Sequence, residues 1–220
     1  MPYFFGHRSG DRVQIEGNDA RHLALSLRAR KGEAVFVLEP PSRMLRVRLE
    51  SVTPEAVTGV VEEEIPHRPE PVAKITMALA MLPASQLEMA LSRCTELGAH
   101  QFILLAAARS VARAGNPQRW AATCREAAML AGRFHVPSVA GPIRLDQLGA
   151  HVKLHRGATS RLLELAAPSD LTLAIGPEGG WSDDEMGGSP QLASLGSRNL
   201  RAENAAAAAL TVALAARGEI

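Results

Sequence analysis

Lysine is nearly missing from this 220-residue chain: of 24 basic residues, 3 are lysine and 21 are arginine. The imbalance has two readings. Arginine suits bidentate phosphate contacts and stacking on bases, but a chain this rich in Ala, Gly and Pro also suggests a coding bias toward arginine. With 23 acidic residues the formal net charge is +1, so there is no global electrostatic argument for a nucleic-acid partner. Cysteine is scarcer still. Cys94 and Cys124 stand far apart, with neither the close pairing of a zinc knuckle nor the density of a disulfide scaffold. A reducing cytoplasm fits best, and both thiols are expected as small buried hydrophobes on helix faces. Long apolar runs are also absent. The most apolar stretch, Ile75 to Leu82, is too short for a bilayer, and no charged-then-apolar leader opens the chain, so a soluble cytoplasmic protein with no membrane partner is expected. The histidines lack metal-ligand spacing, and no metal is expected.

What is present divides the chain into two grammars. Residues 1 to 61 read as strands and turns: Met44 to Glu50 alternates apolar and charged with period two, and Ala34 to Leu38 and Ala56 to Val61 are further β-prone runs. This predicts a small β-rich domain with one half-exposed, arginine-bearing sheet face. Residues 62 to 71 combine Glu62-Glu63-Glu64 with three prolines, a composition expected to end any ladder and mark the domain boundary, giving domains 1–66 and 67–220.

Beyond the boundary, strands alternate with helices. Lys74 to Leu82 reads as a strand, and Leu87, Ala90, Leu91, Cys94 and Leu97 mark a helix face ending at Gly98. Phe102 to Leu105 reads as another strand, and Asn116-Pro117 opens a further helix with Asn as cap. Ser182-Asp183-Asp184-Glu185 has the form of a capping box, and a last helix is expected from Glu203 to Arg217, with small alanines from Ala205 to Ala209. The alternation predicts an α/β fold with a mainly parallel sheet.

Two glycine-bearing loops carry the functional signal. The first, Ile175-Gly176-Pro177-Glu178-Gly179-Gly180-Trp181, follows the apolar run Leu171 to Ile175, and ligands in open α/β sheets bind beyond the carboxyl ends of strands. It is not a dinucleotide fingerprint and has no Lys-Ser/Thr pair for a triphosphate, so hydride and phosphoryl transfer lose support. The second runs from Leu195-Gly196 through Leu200-Arg201-Ala202-Glu203-Asn204-Ala205. Two loops of backbone amides without bulky side chains can close on one flat polar molecule.

Together with Pro2-Tyr3-Phe4-Phe5, His22-Leu23, Leu27-Arg28, Thr95-Glu96-Leu97-Gly98, Arg109-Ser110 and Gly132-Arg133, these loops are similar to those of one family. The chain resembles the small-subunit ribosomal RNA uridine N3-methyltransferases of the SPOUT, or α/β-knot, superfamily. The resemblance implies a PUA-like RNA-binding β-barrel, then a trefoil-knotted α/β methyltransferase domain. It also implies S-adenosylmethionine as methyl donor, a homodimer, and small-subunit ribosomal RNA or the assembled small subunit as partner. On that resemblance Ile175, Gly176, Pro177, Glu178, Gly179, Gly180, Leu195, Gly196, Leu200 and Ala205 hold the cofactor. Arg201 is the candidate to stabilise charge on the uracil carbonyls or to hold phosphate. Glu203 is either the proton acceptor, a partner of Arg201, or a cap of the last helix. His22, Arg28 and Arg133 are expected to touch RNA. The chain departs from the family pattern at Pro83-Ala84, Met129-Leu130, Arg156-Gly157, Asn199, Ala202 and Asn204. The departures leave open another RNA site or a ribose hydroxyl as target, or a noncatalytic RNA-binding assembly protein of the same fold.

Overall fold

A computed structural model describes residues 3–111, 115–165, 170–187 and 191–220. The chain forms two compact units, one of residues 1–70 with 128–134, the other of 71–127 with 135–220.

The first unit holds β1 (Tyr3–Phe5), β2 (His7–Ser9), β3 (Arg12–Glu16), a short helix α1 (Gly17–Arg21), a π-helical turn (His22–Ser26), β4 (Ala34–Glu39), β5 (Arg43–Val52) and β6 (Ala56–Pro66). They make one six-stranded sheet in the order β1-β4-β5-β6-β3-β2. Period-two patterning explains which face closes. On β5, Leu45, Val47 and Leu49 are buried and join Phe4, Ile15, Val37 and Val57 in a core, while Arg46 and Arg48 stay exposed.

The acidic run does not end the ladder as its composition predicts. β6 continues through Glu62, Glu63 and Glu64 to Pro66, which pairs with Arg43. The reason lies across the sheet. Arg8 and Arg43 reach Glu64 at 2.6 and 2.8 Å, Arg43 also reaches Glu39 at 3.0 Å, and Arg46 and Arg48 both face Glu62. Opposite charges on neighbouring strands offset the repulsion within the run. Proline sits at the strand's last residue, where the missing N–H matters least.

Residues 128–134 belong to this unit. Met129 packs against its core, and the His67 ring bonds the Gly132 carbonyl at 2.7 Å. Arg133 is 3% exposed and makes two bonds, 2.6 and 3.0 Å, to one carboxylate oxygen of Glu70.

The second unit contains β7 (Lys74–Ala80), α2 (Ala84–Glu96), β8 (Gln101–Leu105), α3 (Pro117–Leu130, whose last turn lies in the first unit), β9 (Ser138–Ile143), β10 (Val152–Leu154), β11 (Asp170–Ile175), the one-turn α4 (Asp183–Met186), β12 (Gln191–Ala193) and α5 (Ala202–Ala215). The sheet order is β12-β10-β11-β7-β8-β9, and every neighbouring pair is parallel. One face carries Ile75, Met77, Leu79, Phe102, Leu104 and Leu173 against Leu87, Leu91 and Cys94 of α2 and Ala206, Ala209, Leu210 and Leu214 of α5. The opposite face is built from small residues, Ala78, Ala80 and Ala174, beneath Trp181 and Leu145.

Local signals act as chemistry requires. The Asn116 side chain accepts from the N–H groups of Gln118 and Arg119 at 3.1 and 3.2 Å, filling two of the unpaired donors that open α3. α2 stops where Gly98 turns to φ +108°, and a Cβ there would lie 2.6 Å from Pro71. Cys94 and Cys124 are fully buried, and desolvation pushes the Cys94 thiol up to about 12.

Candidate functional site

β10, β11 and β12 are parallel and adjacent, so their carboxyl ends emerge together. The first glycine loop leaves β11 there. The Gly180 N–H closes a turn on the Pro177 carbonyl at 2.8 Å, with Gly180 at φ +71°. Gly176 must be glycine for another reason: a Cβ would come within 2.9 Å of the Trp181 indole. That indole is pinned in turn, its N–H donating to the Leu154 carbonyl at the end of β10 at 3.0 Å. Ser182 and Glu185 form the reciprocal capping box that starts α4. The second loop leaves β12, turns at Gly196 with φ +102°, and reaches Arg201, the N-cap of α5.

Between the loops lies a cavity of about 240 Å³. Ile175, Gly176, Pro177, Glu178 and Gly180 line it from the first loop; Leu195, Gly196, Leu200 and Ala205 line it from the second and the start of α5. Gly179, expected with them, is not among the lining residues. Its carbonyl accepts from Arg109 at 3.1 Å, and a Cβ there would lie 3.3 Å from the Arg109 Cβ, so it docks the loop onto the segment after β8. Sequence reasoning missed Leu154 and His155, which complete the wall with Arg156, noted in the sequence only as a departure from the family pattern. Their signal was a three-residue strand, too short for periodicity, followed by the His155-Arg156-Gly157 turn.

Arg156 and Arg198 line the cavity, Glu178 is its acidic residue, and Arg201 is exposed beside Leu200 and Ala202, which line it. Among the described residues, none of these three arginines has an ion-pair partner. Glu203 is 4% exposed in the first turn of α5, and its Oε2 has no hydrogen-bond partner. It forms neither an ion pair with Arg201 nor a capping bond.

A larger cavity, about 1340 Å³, is lined by residues of β10 and β11 together with Leu145, Ser182, Glu185 and Ala213. Lys153 lines it, almost wholly buried, with Nζ donating to the Glu185 carbonyl and lying 5.5 Å from the Trp181 ring centre. Desolvation lowers the Lys153 ammonium below its ordinary range, partly opposed by the Glu185 carboxylate. Size alone favours this void. The chemistry favours the smaller one, where strand ends and backbone amides of both loops converge.

The expected RNA contacts lie in the first unit. His22 opens the π-helical turn and is exposed, with its ring 6.4 Å from that of Phe4; Arg28 is exposed at φ +53°. Arg133 is a correction. Its guanidinium is buried against Glu70, so it ties residues 128–134 to the first unit and is not presented to a substrate.

Residues 68–214 match the family model of the RNA methyltransferase domain, the class of protein that this parallel sheet and its paired loops define. The chain is 30% identical to the ribosomal RNA small subunit methyltransferase E of Synechocystis, over 90% of this chain and 71% of that one. It is 29% identical to the protein of the same name from Mycobacterium bovis, over 89% and 83%. The structure of the Legionella pneumophila methyltransferase Lpg2936, in complex with the bound cofactor SAM, matches with a TM-score of 0.85 at 26% identity, over 98% and 96%. The chain belongs to the ribosomal RNA small subunit methyltransferase E family. No described helix is long and apolar enough to cross a membrane.

Proposed function

We propose that the chain transfers a methyl group from S-adenosylmethionine to N3 of a uridine in small-subunit ribosomal RNA, in the cytoplasm and as a homodimer. The observation that carries this reading is the cavity at the ends of three parallel strands, lined by both glycine loops. On the same reading residues 1–66 are a PUA-like barrel and residues 67–220 a trefoil-knotted domain. The return of β12 to pair with β10 rather than β11 supports the knot, an exception among folds.

The residues present suit the cofactor. Gly180 and Gly196 have open space where a Cβ would stand, and the walls offer backbone groups and short side chains to a flat polar molecule. The bound cofactor supplies an electrophilic methyl on a sulfonium, and no metal is required. Uridine N3 bears a weakly acidic proton between two carbonyls. Removing it creates a uridinate whose charge cancels as the methyl transfers, so a water-poor pocket assists. Arg201, exposed and unpaired, stabilises negative charge on the carbonyl oxygens. Glu203, buried with a free oxygen two residues on, accepts the proton. Asn199 and Ala202 depart from the family pattern and both line the cavity, so they shape which base enters.

Single-turnover methyl transfer to small ribosomal subunits, followed by nucleoside mapping, tests the reading. N3-methyluridine is expected. Methylation of a ribose or another base, or none, would replace it with the corresponding alternative.

A further inference from the structure

The π-helical turn and the residues after it, 21 to 31, concentrate several costly features in one short segment of the first unit. π-helical turns are rare and are frequently found at functional sites. Leu25 and Leu27 are 58% and 45% exposed, and Arg28 holds the left-handed region at φ +53°. The turn is nonetheless anchored. Leu23 is buried and Ala29 packs on the core, while the Leu27 and Ala29 N–H groups bond the His22 and Leu23 carbonyls at 2.9 and 3.0 Å. The two leucines are therefore held outward by a rigid base.

Around them stand Arg21, Arg28, Arg30 and Lys31, all exposed and without a side-chain partner among the described residues. The nearby carboxylate, Glu33, is engaged by the backbone N–H of Arg30 at 3.1 Å. Such a cation set around an apolar tip is complementary to a polyanion that also has apolar faces. Unpaired RNA is such a polyanion, whereas duplex RNA offers phosphates and a shallow groove with its base faces stacked away. Aromatic residues usually take the stacking role, but among the described residues no Phe, Tyr or Trp side chain is exposed: Phe4, Phe102, Trp120 and Trp181 are buried and the rest half-buried, which leaves the His22 ring as the exposed ring of this segment.

We infer that Leu25 and Leu27 form an aliphatic wedge that packs against unstacked bases of the RNA, with Arg21, Arg28, Arg30 and Lys31 on the flanking phosphates. The inference rests on the uridine N3 reading and deepens it. N3 lies on the pairing edge of uracil, so the target must arrive unpaired, and a wedge that packs on unstacked bases suits such a substrate.

The test uses the full-length protein and two labelled probes, a single-stranded RNA and the duplex of the same sequence, titrated by fluorescence anisotropy over a range of salt. The Leu25→Ser/Leu27→Ser double variant changes only exposed side chains. Its affinity for the single strand should fall at least about tenfold at every salt concentration, with unchanged salt slope and unchanged duplex affinity. Arg28→Ala and Lys31→Ala should instead weaken binding to both probes and each reduce the salt slope by about one. Wild-type single-strand affinity in the leucine variant, or an equal loss on both probes, would overturn the wedge. So would a dimer that dissociates in that variant by light scattering, since a second copy would then cover the leucines. Calorimetry with S-adenosylmethionine tests the parent reading separately: failure of the wild-type protein to bind cofactor removes the methyltransferase reading without touching the RNA result.

Discussion

The sheet face of the first unit and the mouth of the glycine-loop cavity both display arginine, and they use it in opposite ways. On the sheet, Arg8, Arg43, Arg46 and Arg48 each meet a glutamate of another strand. At the cavity, Arg156, Arg198 and Arg201 meet none among the described residues. The contrast answers the ambiguity of a chain with 21 arginines and net charge +1. An arginine count says little about anions. A guanidinium already bonded to a carboxylate has its donors satisfied, and only unpartnered ones offer their fork to phosphate or a developing oxyanion.

The largest test of this division is Arg201→Ala. If Arg201 stabilises charge on uracil, single-turnover methyl transfer should fall about 10²- to 10³-fold, roughly 3 to 4 kcal/mol, with cofactor affinity and dimerisation retained. Lysine should restore only part of the rate, since it keeps charge but loses the planar fork. A near-wild-type rate would erase the distinction between free and paired arginines at this site.

Next comes Glu203→Gln, which removes the base beside that arginine and should slow transfer on the order of 10²-fold. The loss should shrink at higher pH, where more uridine is already ionised. A fall in melting temperature with an unchanged pH profile would mark Glu203 as structural instead.

Arg133→Ala probes the paired class where it is buried. Removing its ion pair to Glu70 should lower unfolding free energy by about 2 to 3 kcal/mol in urea titrations, while the rate per folded molecule holds. Slower methylation at unchanged stability would return Arg133 to the substrate.

The smallest effect is expected for Arg46→Ala. An exposed pair in water contributes little, so melting temperature and the salt slope of RNA binding should stay near wild type. A reduced slope would show that the sheet face also carries RNA.

Several features were legible in the sequence because they depend on neighbours a few residues away. The alternation of β5, the buried stripe of α2, the Asn116 cap, the Ser182–Glu185 capping box and the two glycine loops are all of this kind. Periodicity and side-chain-to-backbone bonds act within one or two turns, so composition and spacing suffice to read them. What tertiary structure alone decided involves partners distant along the chain. β6 runs on through Glu62 to Pro66 because arginines of other strands lie opposite it. The Gly179 carbonyl is held by Arg109, 70 residues earlier. Arg133 is withdrawn from solvent by Glu70, 63 residues before it. His155 and Arg156 reach the site only because the three-residue β10 lies between β11 and β12. A side chain's freedom to act depends on what the fold brings against it, and charge, burial and hydrogen bonding across the sheet are set by register rather than by adjacency.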